Sequence, residues 1–260
     1  MKNEEFYVGY LPKAPTNLAR RVGVIAAMLV VGSLAVGFAL IRDQPPFANS
    51  RFEFGVDRDH SGVIEEWPYP MLRSGDSSFL LVGPGKHGFS EAVKGWEGKN
   101  VQLQGSLIER GPNRMLEVVP ASLHEIAGPL ANGRGSVTSS EPRPSGSSVR
   151  ELKLIDLGPV TLRGEIVDTK CYFGVMNPGN GKVHRDCAAR CIGGGAPPAF
   201  VAREGEGDAR VLLLVGSDGR QLTREVLPFV AEPIEVSGEL VHSGANLILK
   251  SEPSSFRRVE

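Results

Sequence analysis

Residues 101–120, VQLQGSLIERGPNRMLEVVP, and residues 234–253, IEVSGELVHSGANLILKSEP, decide the fold. Each alternates apolar and polar residues with a period of two on either side of a glycine-containing turn, the pattern of a β-hairpin with one buried face. Laid on each other at a constant offset of 133 residues, the two stretches extend without a gap into an alignment of residues 80–127 with 213–260, identical at 12 of 48 positions. Leu80-Leu81-Val82-Gly83 falls on Leu213-Leu214-Val215-Gly216, Val93 on Val226, and Gly105, Leu107, Gly111, Asn113, Leu116 and Pro120 on Gly238, Leu240, Gly244, Asn246, Leu249 and Pro253. Two copies of one β module account for this most economically.

Each copy also has a strand with an early glycine (62–67 and 164–169), an apolar strand ending LLVG, and a short helix-like segment (90–95 and 223–229). Strands interrupted by one helix in a unit of about 80 residues suggest a small five-stranded barrel of the OB type. Gly and Pro together make 51 of the 260 residues, which favours many turns and short strands over a helical bundle. The expected fold class is therefore mainly β: an N-terminal transmembrane helix followed by two repeated OB-like barrels, at 51–127 and 151–260. The join, residues 128–150, holds 15 Gly, Pro, Ser, Thr or Asn in 23 and is expected to be a flexible linker.

Residues 22–41, VGVIAAMLVVGSLAVGFALI, form a run of twenty without a charge, enough to cross about 30 Å of hydrocarbon. A cleaved signal peptide has a shorter apolar core with a small-residue cleavage site behind it; here Arg42-Asp43-Gln44-Pro45-Pro46 follows, so the run is taken as an uncleaved anchor. Lys2, Lys13, Arg20 and Arg21 precede it, and only Arg42 and Arg51 follow closely. The positive-inside bias then puts residues 1–21 in the cytoplasm and the remainder outside. A formal net charge of -1 offers no electrostatic case for a nucleic-acid partner.

The early glycines are 102 residues apart and the later landmarks 133, so the second module carries 31 extra residues, placed at 170–200: KCYFGVMNPGNGKVHRDCAARCIGGGAPPAF. All three cysteines of the chain lie in this insertion, spaced Cys171-x12-His184-x2-Cys187-x3-Cys191. A barrel that folds without the insertion in one copy does not need those cysteines for its core. On a helix, His184, Cys187 and Cys191 share a face, and Cys171, at a strand end, supplies a fourth corner. Three thiolates and an imidazole suit zinc, an iron site or copper. The competing readings are one disulfide from Cys171 to Cys187 or Cys191 with a spare thiol, the usual fate of cysteine outside the cytoplasm, and a reactive thiol at Cys187 with His184 as base. No Cys-x-x-Cys-His haem attachment motif occurs.

The string Gly164-Glu165-Ile166-Val167-Asp168-Thr169-Lys170-Cys171-Tyr172, with Met176-Asn177-Pro178-Gly179 and the run from His184 to Ile192, resembles a motif of uncharacterised, membrane-anchored bacterial proteins; the likeness covers about 35 residues. It implies a bacterial inner-membrane setting, with the barrels in the periplasm, and no particular activity. The anchor-plus-barrel plan is also similar to the periplasmic haem chaperone of cytochrome c maturation, from which this chain departs by lacking the His-x-x-x-Tyr haem-attachment motif.

Two further motifs are set aside. Residues 57–64 match the start of an EF-hand loop, but position 12 is Pro68 and the sequence before the loop reads as strand. Gly83-Pro84-Gly85-Lys86-His87-Gly88 matches G-x-G-x-x-G without a helix long enough for a dinucleotide fold. The function expected is a membrane-anchored, exported metal-binding accessory or electron-transfer protein serving a membrane oxidoreductase complex, its site made by Cys171, His184, Cys187 and Cys191. No set of catalytic residues stands out. A disulfide-stapled interaction module and a thiol-redox protein are the alternatives.

Overall fold

The computed structural model describes residues 14–43, 49–126, 154–203, 209–244 and 246–259, in two units, 1–47 and 48–260. The linker expected at 128–150 and most of the segment expected to be cytoplasmic lie outside the described residues.

In the first unit, helix α1 (Thr16–Arg42) has 27 residues and contains the whole run 22–41. It starts after Pro15, whose fixed φ suits a helix entry, and it closes with Asp43 N–H donating to Ala39 O at 3.0 Å. None of its residues is buried, and it is long and apolar enough to cross a membrane. It begins earlier than the apolar run because Thr16 to Arg21 includes good helix formers such as Leu18, Ala19, Arg20 and Arg21.

The second unit contains two closed five-stranded barrels. The first is built from β1 (Ser50–Phe52), β2 (Arg58–Glu65), β3 (Met71–Ser74), β4 (Ser77–Val82), β5 (Asn100–Arg110), β6 (Asn113–Val118) and β7 (His124–Glu125). Its ring runs β2-β3-β4-β6-β5 and back to β2, every pairing antiparallel except β4 with β6; β1 and β7 add to β5. The second barrel has β8 (Ile155–Asp168), helix α2 (Arg185–Gly193), β9 (Pro198–Ala202), β10 (Arg210–Val215), β11 (Ile234–Ser243), β12 (Asn246–Lys250) and β13 (Arg257–Arg258). It closes in the same order, β8-β9-β10-β12-β11 and back to β8, with β10 and β12 parallel.

The registers correspond pair by pair. Leu81 faces Leu116 and Leu214 faces Leu249; Gly62 faces Val101 and Gly164 faces Ile234. The shared glycines have one cause: a Cβ on Gly105 would run into Glu117 O, and one on Gly238 into Lys250 O, because the long strand of each ring crosses its neighbour at close quarters. Of the expected helix-like segments, the second is a 3-10 turn (Arg224–Phe229), while the first forms only successive turns. Residues 58–65, which overlap the EF-hand match, are strand, so no calcium loop forms there.

Three large apolar clusters fill the unit among the described residues. Ile64, Leu72, Leu81, Val101, Leu103 and Leu116 pack inside the first barrel; Ile166, Phe200, Leu212, Leu214, Ile234 and Leu249 pack inside the second. The third lies between them: Tyr69, Met71, Leu80, Val82, Ile108 and Met115 pack against Val167, Phe173, Ala199, Leu213, Val215 and Ile248. This explains why LLV is unbroken in both barrels. Leu81 and Leu214 point into their own barrels, while Leu80, Val82, Leu213 and Val215 point at the other one, so both faces are dry. Tyr69 OH, donating to Leu214 O at 2.6 Å and accepting from Leu222 N–H at 3.1 Å, spans the junction.

The segment between the first two ring strands is residues 66–70 in the first barrel and 169–197 in the second. Residues 170–197 of the expected insertion fall in this longer segment, whereas Pro198, Ala199 and Phe200, assigned to it from the sequence, belong to β9, where Phe200 is fully buried.

Candidate metal centre

Asp168, the last residue of β8, has no exposed surface. Its Oδ1 accepts the Cys171 N–H at 2.8 Å, and its Oδ2 stands 3.1 Å from His184 Nε2. Thr169 closes the base of the insertion, its N–H and its hydroxyl both donating to Pro197 O, at 3.1 and 2.9 Å. Cys171 opens a single π-helical turn (Cys171–Val175), a local geometry common at functional sites, rather than ending a strand as its sequence context suggests.

The chain then passes a loop held by buried Glu165, which accepts from Asn180 Nδ2 at 3.0 Å, Gly181 N–H at 2.8 Å and Arg203 Nη2 at 2.6 Å. A 3-10 turn (Lys182–His184) leads directly into α2. Ala188 and Ile192 of α2 join the core of the second barrel, which fixes the roll of the helix. Cys187 and Cys191, four residues apart and so on a common face, meet Cys171. Gly194 N–H and Ala196 N–H, donating to Arg190 O at 3.0 Å and Cys191 O at 2.9 Å, end the helix tightly.

All three cysteines are free. Cys171 Sγ lies 3.9 Å from both Cys187 Sγ and Cys191 Sγ, and the three sulfurs fall within 4.8 Å of one another. Thiolates about 2.3 Å from one tetrahedral ion are separated by about 3.8 Å, so two of the three sulfur separations already match ligands around a single ion and the third is within reach of it. Cys171 and Cys191 are buried and Cys187 is partly exposed. His184 is buried too, but its ligand nitrogen falls within 4.8 Å of Asp168 and Cys171, a second triad that shares Cys171 with the first. Of the four expected ligands, the structure thus groups three thiols, with the imidazole on the far side of Cys171, against a carboxylate.

The first barrel provides the roof. Residues 83–88 lie on the glycine turn after α2, with Gly88 N–H donating to Gly194 O at 2.8 Å. A Cβ on Gly194 would run into Lys86 O, and one on Gly88 into Gly195 O. The G-x-G-x-x-G match is thus explained by backbone contact, not by a phosphate. From this roof Lys86 Nζ donates to Cys187 Sγ at 2.7 Å and reaches Cys191 Sγ at 3.6 Å. Next to Cys171, buried Lys170 runs the opposite way, donating to Gly83 O at 2.8 Å and Gly85 O at 2.6 Å and pairing with Glu117.

These contacts separate the thiols electrostatically. The hydrogen bond with Cys171 brings the Cys191 thiol down to about 7, helped by the charge of Lys86 against the opposing effect of burial. The same hydrogen bond, with burial, pushes Cys171 far up. Lys86 is raised, chiefly by its hydrogen bond to Cys187.

Sequence reasoning missed Asp168, Lys86 and Lys170. Asp168 and Lys170 sit within three residues of Cys171, so proximity was a usable signal. Lys86 had none beyond its glycine-rich setting, because its link to the cysteines exists only once the two barrels touch. No family model, curated protein or solved structure matches this chain.

Proposed function

We propose that the chain is a membrane-anchored accessory protein that holds a single soft metal ion, of the zinc, iron or copper class, on Cys171, Cys187 and Cys191. The observation that carries this is the spacing of three free sulfurs within 4.8 Å, two of the separations being 3.9 Å. Soft thiolates select such ions, and sulfurs this close suit one ion better than a multi-iron cluster, whose ligands spread wider. His184 serves as a fourth ligand or, through Asp168, as part of the surrounding shell that fixes Cys171.

The barrels are of the OB type, and the second is a repeat of the first with the metal loop inserted between its first two strands. The supporting observations are the common ring order, the parallel closing pair in each, and registers that match at an offset of 133 residues. Helix α1 is the anchor. Lys and Arg enrichment ahead of it favours a cytoplasmic N-terminus, with the barrels in a bacterial periplasm. A site carried beside a membrane suits service to a membrane oxidoreductase complex, as a carrier of the ion or of an electron.

The test is metal analysis of the full chain, purified in detergent under anaerobic reducing conditions. About one metal per chain is expected, falling to background in Cys187→Ser/Cys191→Ser; no stoichiometric metal in the wild type would sink the reading. A thiol-redox role is the second reading, favoured by the acidity of Cys191 beside Lys86. It requires rapid alkylation of one cysteine in the native, metal-loaded chain.

A further inference from the structure

Lys86 is the one nitrogen-bearing side chain that touches Cys187 and Cys191 among the described residues, and it is a cation, not an imidazole. An ammonium has no lone pair for a metal. It instead holds a fixed positive charge against two of the three sulfurs, and the glycine contacts of residues 83–88 with Gly194 and Gly195 keep it there. The imidazole of His184 is engaged with Asp168 and grouped with Cys171 alone of the three cysteines.

Two consequences bear on which ion is held. Structural zinc sites are closed by four ligands, whereas the group assembled here has three, all sulfur. A fixed cation stabilises the thiolates equally whichever ion arrives, but it repels a divalent ion twice as strongly as a monovalent one at the same place. Both effects favour a soft ion of single charge. We propose that the three-thiol group is a Cu(I) site and that Lys86, supplied by the first barrel, is its specificity-determining residue. This rests on the reading of the thiols as a metal centre. Binding is a ligand exchange without redox change: Cu(I) leaves its carrier ligand and forms three Cu–S bonds, and the protons of the thiols go to solvent. Lys86 cancels part of the negative charge of the resulting tris-thiolate.

The experiment uses the full chain in detergent, with anaerobic competition titrations of Cu(I) against a chromophoric Cu(I) chelator and of Zn(II) against a chromophoric zinc chelator. Wild type, Lys86→Met, Lys86→Arg and His184→Ala are compared, with circular dichroism as the check on folding. Lys86→Met is expected to raise the Zn(II) to Cu(I) affinity ratio by about tenfold or more and Lys86→Arg to keep it within about threefold of wild type, while His184→Ala, which loosens the shell around Cys171, lowers both affinities together and also keeps the ratio within about threefold. X-ray absorption of the copper-loaded wild type, which needs no variant, is expected to show a shell of sulfur only.

A ratio unmoved in folded Lys86→Met would overturn the role of Lys86. Nitrogen in the copper shell would overturn the three-thiol site while leaving the chain a metal protein. Binding of neither ion would end this proposal and the metal reading together.

Discussion

Lys170 of the second barrel forms an ion pair with Glu117 of the first, and the lysine is almost wholly buried. Its ammonium also donates to Gly83 O and Gly85 O, so the residue beside Cys171 is also the residue that ties down the roof carrying Lys86. The cation is fully partnered, which makes the arrangement costly to break from one side. Lys170→Met, which leaves Glu117 and two carbonyls without their donor, is expected to destabilise the barrel unit by about 3 kcal/mol. Adding Glu117→Leu should recover a large part of that loss. Urea unfolding of the four variants of this cycle measures it; an additive double mutant would mean that the pair is not coupled.

Asp168 is the second hinge of the centre, since its two oxygens serve Cys171 and His184 separately. Asp168→Ala is expected to weaken metal binding about tenfold to a hundredfold, as loss of a supporting carboxylate does. Asp168→Asn should fall between, because its amide oxygen still accepts the Cys171 N–H while its NH2 group changes what His184 can do. Metal competition titrations on folded protein decide this, and equal affinities for all three proteins would remove Asp168 from the centre.

The metal-free protein should show a pH dependence from Cys191. Its folded value is depressed to about 7 from an ordinary thiol value of 9.0. Between those two values the unfolded chain binds more protons, so stability rises with pH across about pH 7 to 9 and is lost as pH falls through 7. The raised value of Cys171 acts oppositely, but only above pH 9. Thiolate absorbance of the native protein should therefore climb near pH 7, and Lys86→Met should move that step upward. A first step at pH 9 in the native state would contradict the Cys171–Cys191 hydrogen bond.

How much of this was legible beforehand varied with the range of the interaction. The hairpins at 101–120 and 234–253 were readable because alternation reports burial on one face, and one barrel decides it. The unbroken LLV runs carried a message that sequence could not deliver: Leu80 and Leu213 are buried by the other barrel, and nothing local distinguishes that from a strand buried within its own. His184, Cys187 and Cys191 were found through spacing along one helix and Cys171 as a corner at a strand end, yet their grouping was not. Asp168 draws the imidazole away from the face it shares with Cys187 and Cys191, and Lys86 arrives from a segment about a hundred residues earlier.

Neighbouring glycines at the end of α2 give a test of the roof with opposite expected signs. A Cβ on Gly193 meets nothing within 4 Å, and the residue is helical, so Gly193→Ala should be neutral or stabilise by about 0.5–1 kcal/mol through helix propensity. A Cβ on Gly194 collides with Lys86 O, a backbone atom that can yield only if the 83–88 segment lifts. Gly194→Ala is therefore expected to cost about 1–3 kcal/mol and to draw Lys86 away from Cys187. Urea unfolding gives the first quantity and the thiolate absorbance step the second. If Gly194→Ala left the step where it stands in the wild type, contact between the barrels would not be what holds the ammonium over the thiols.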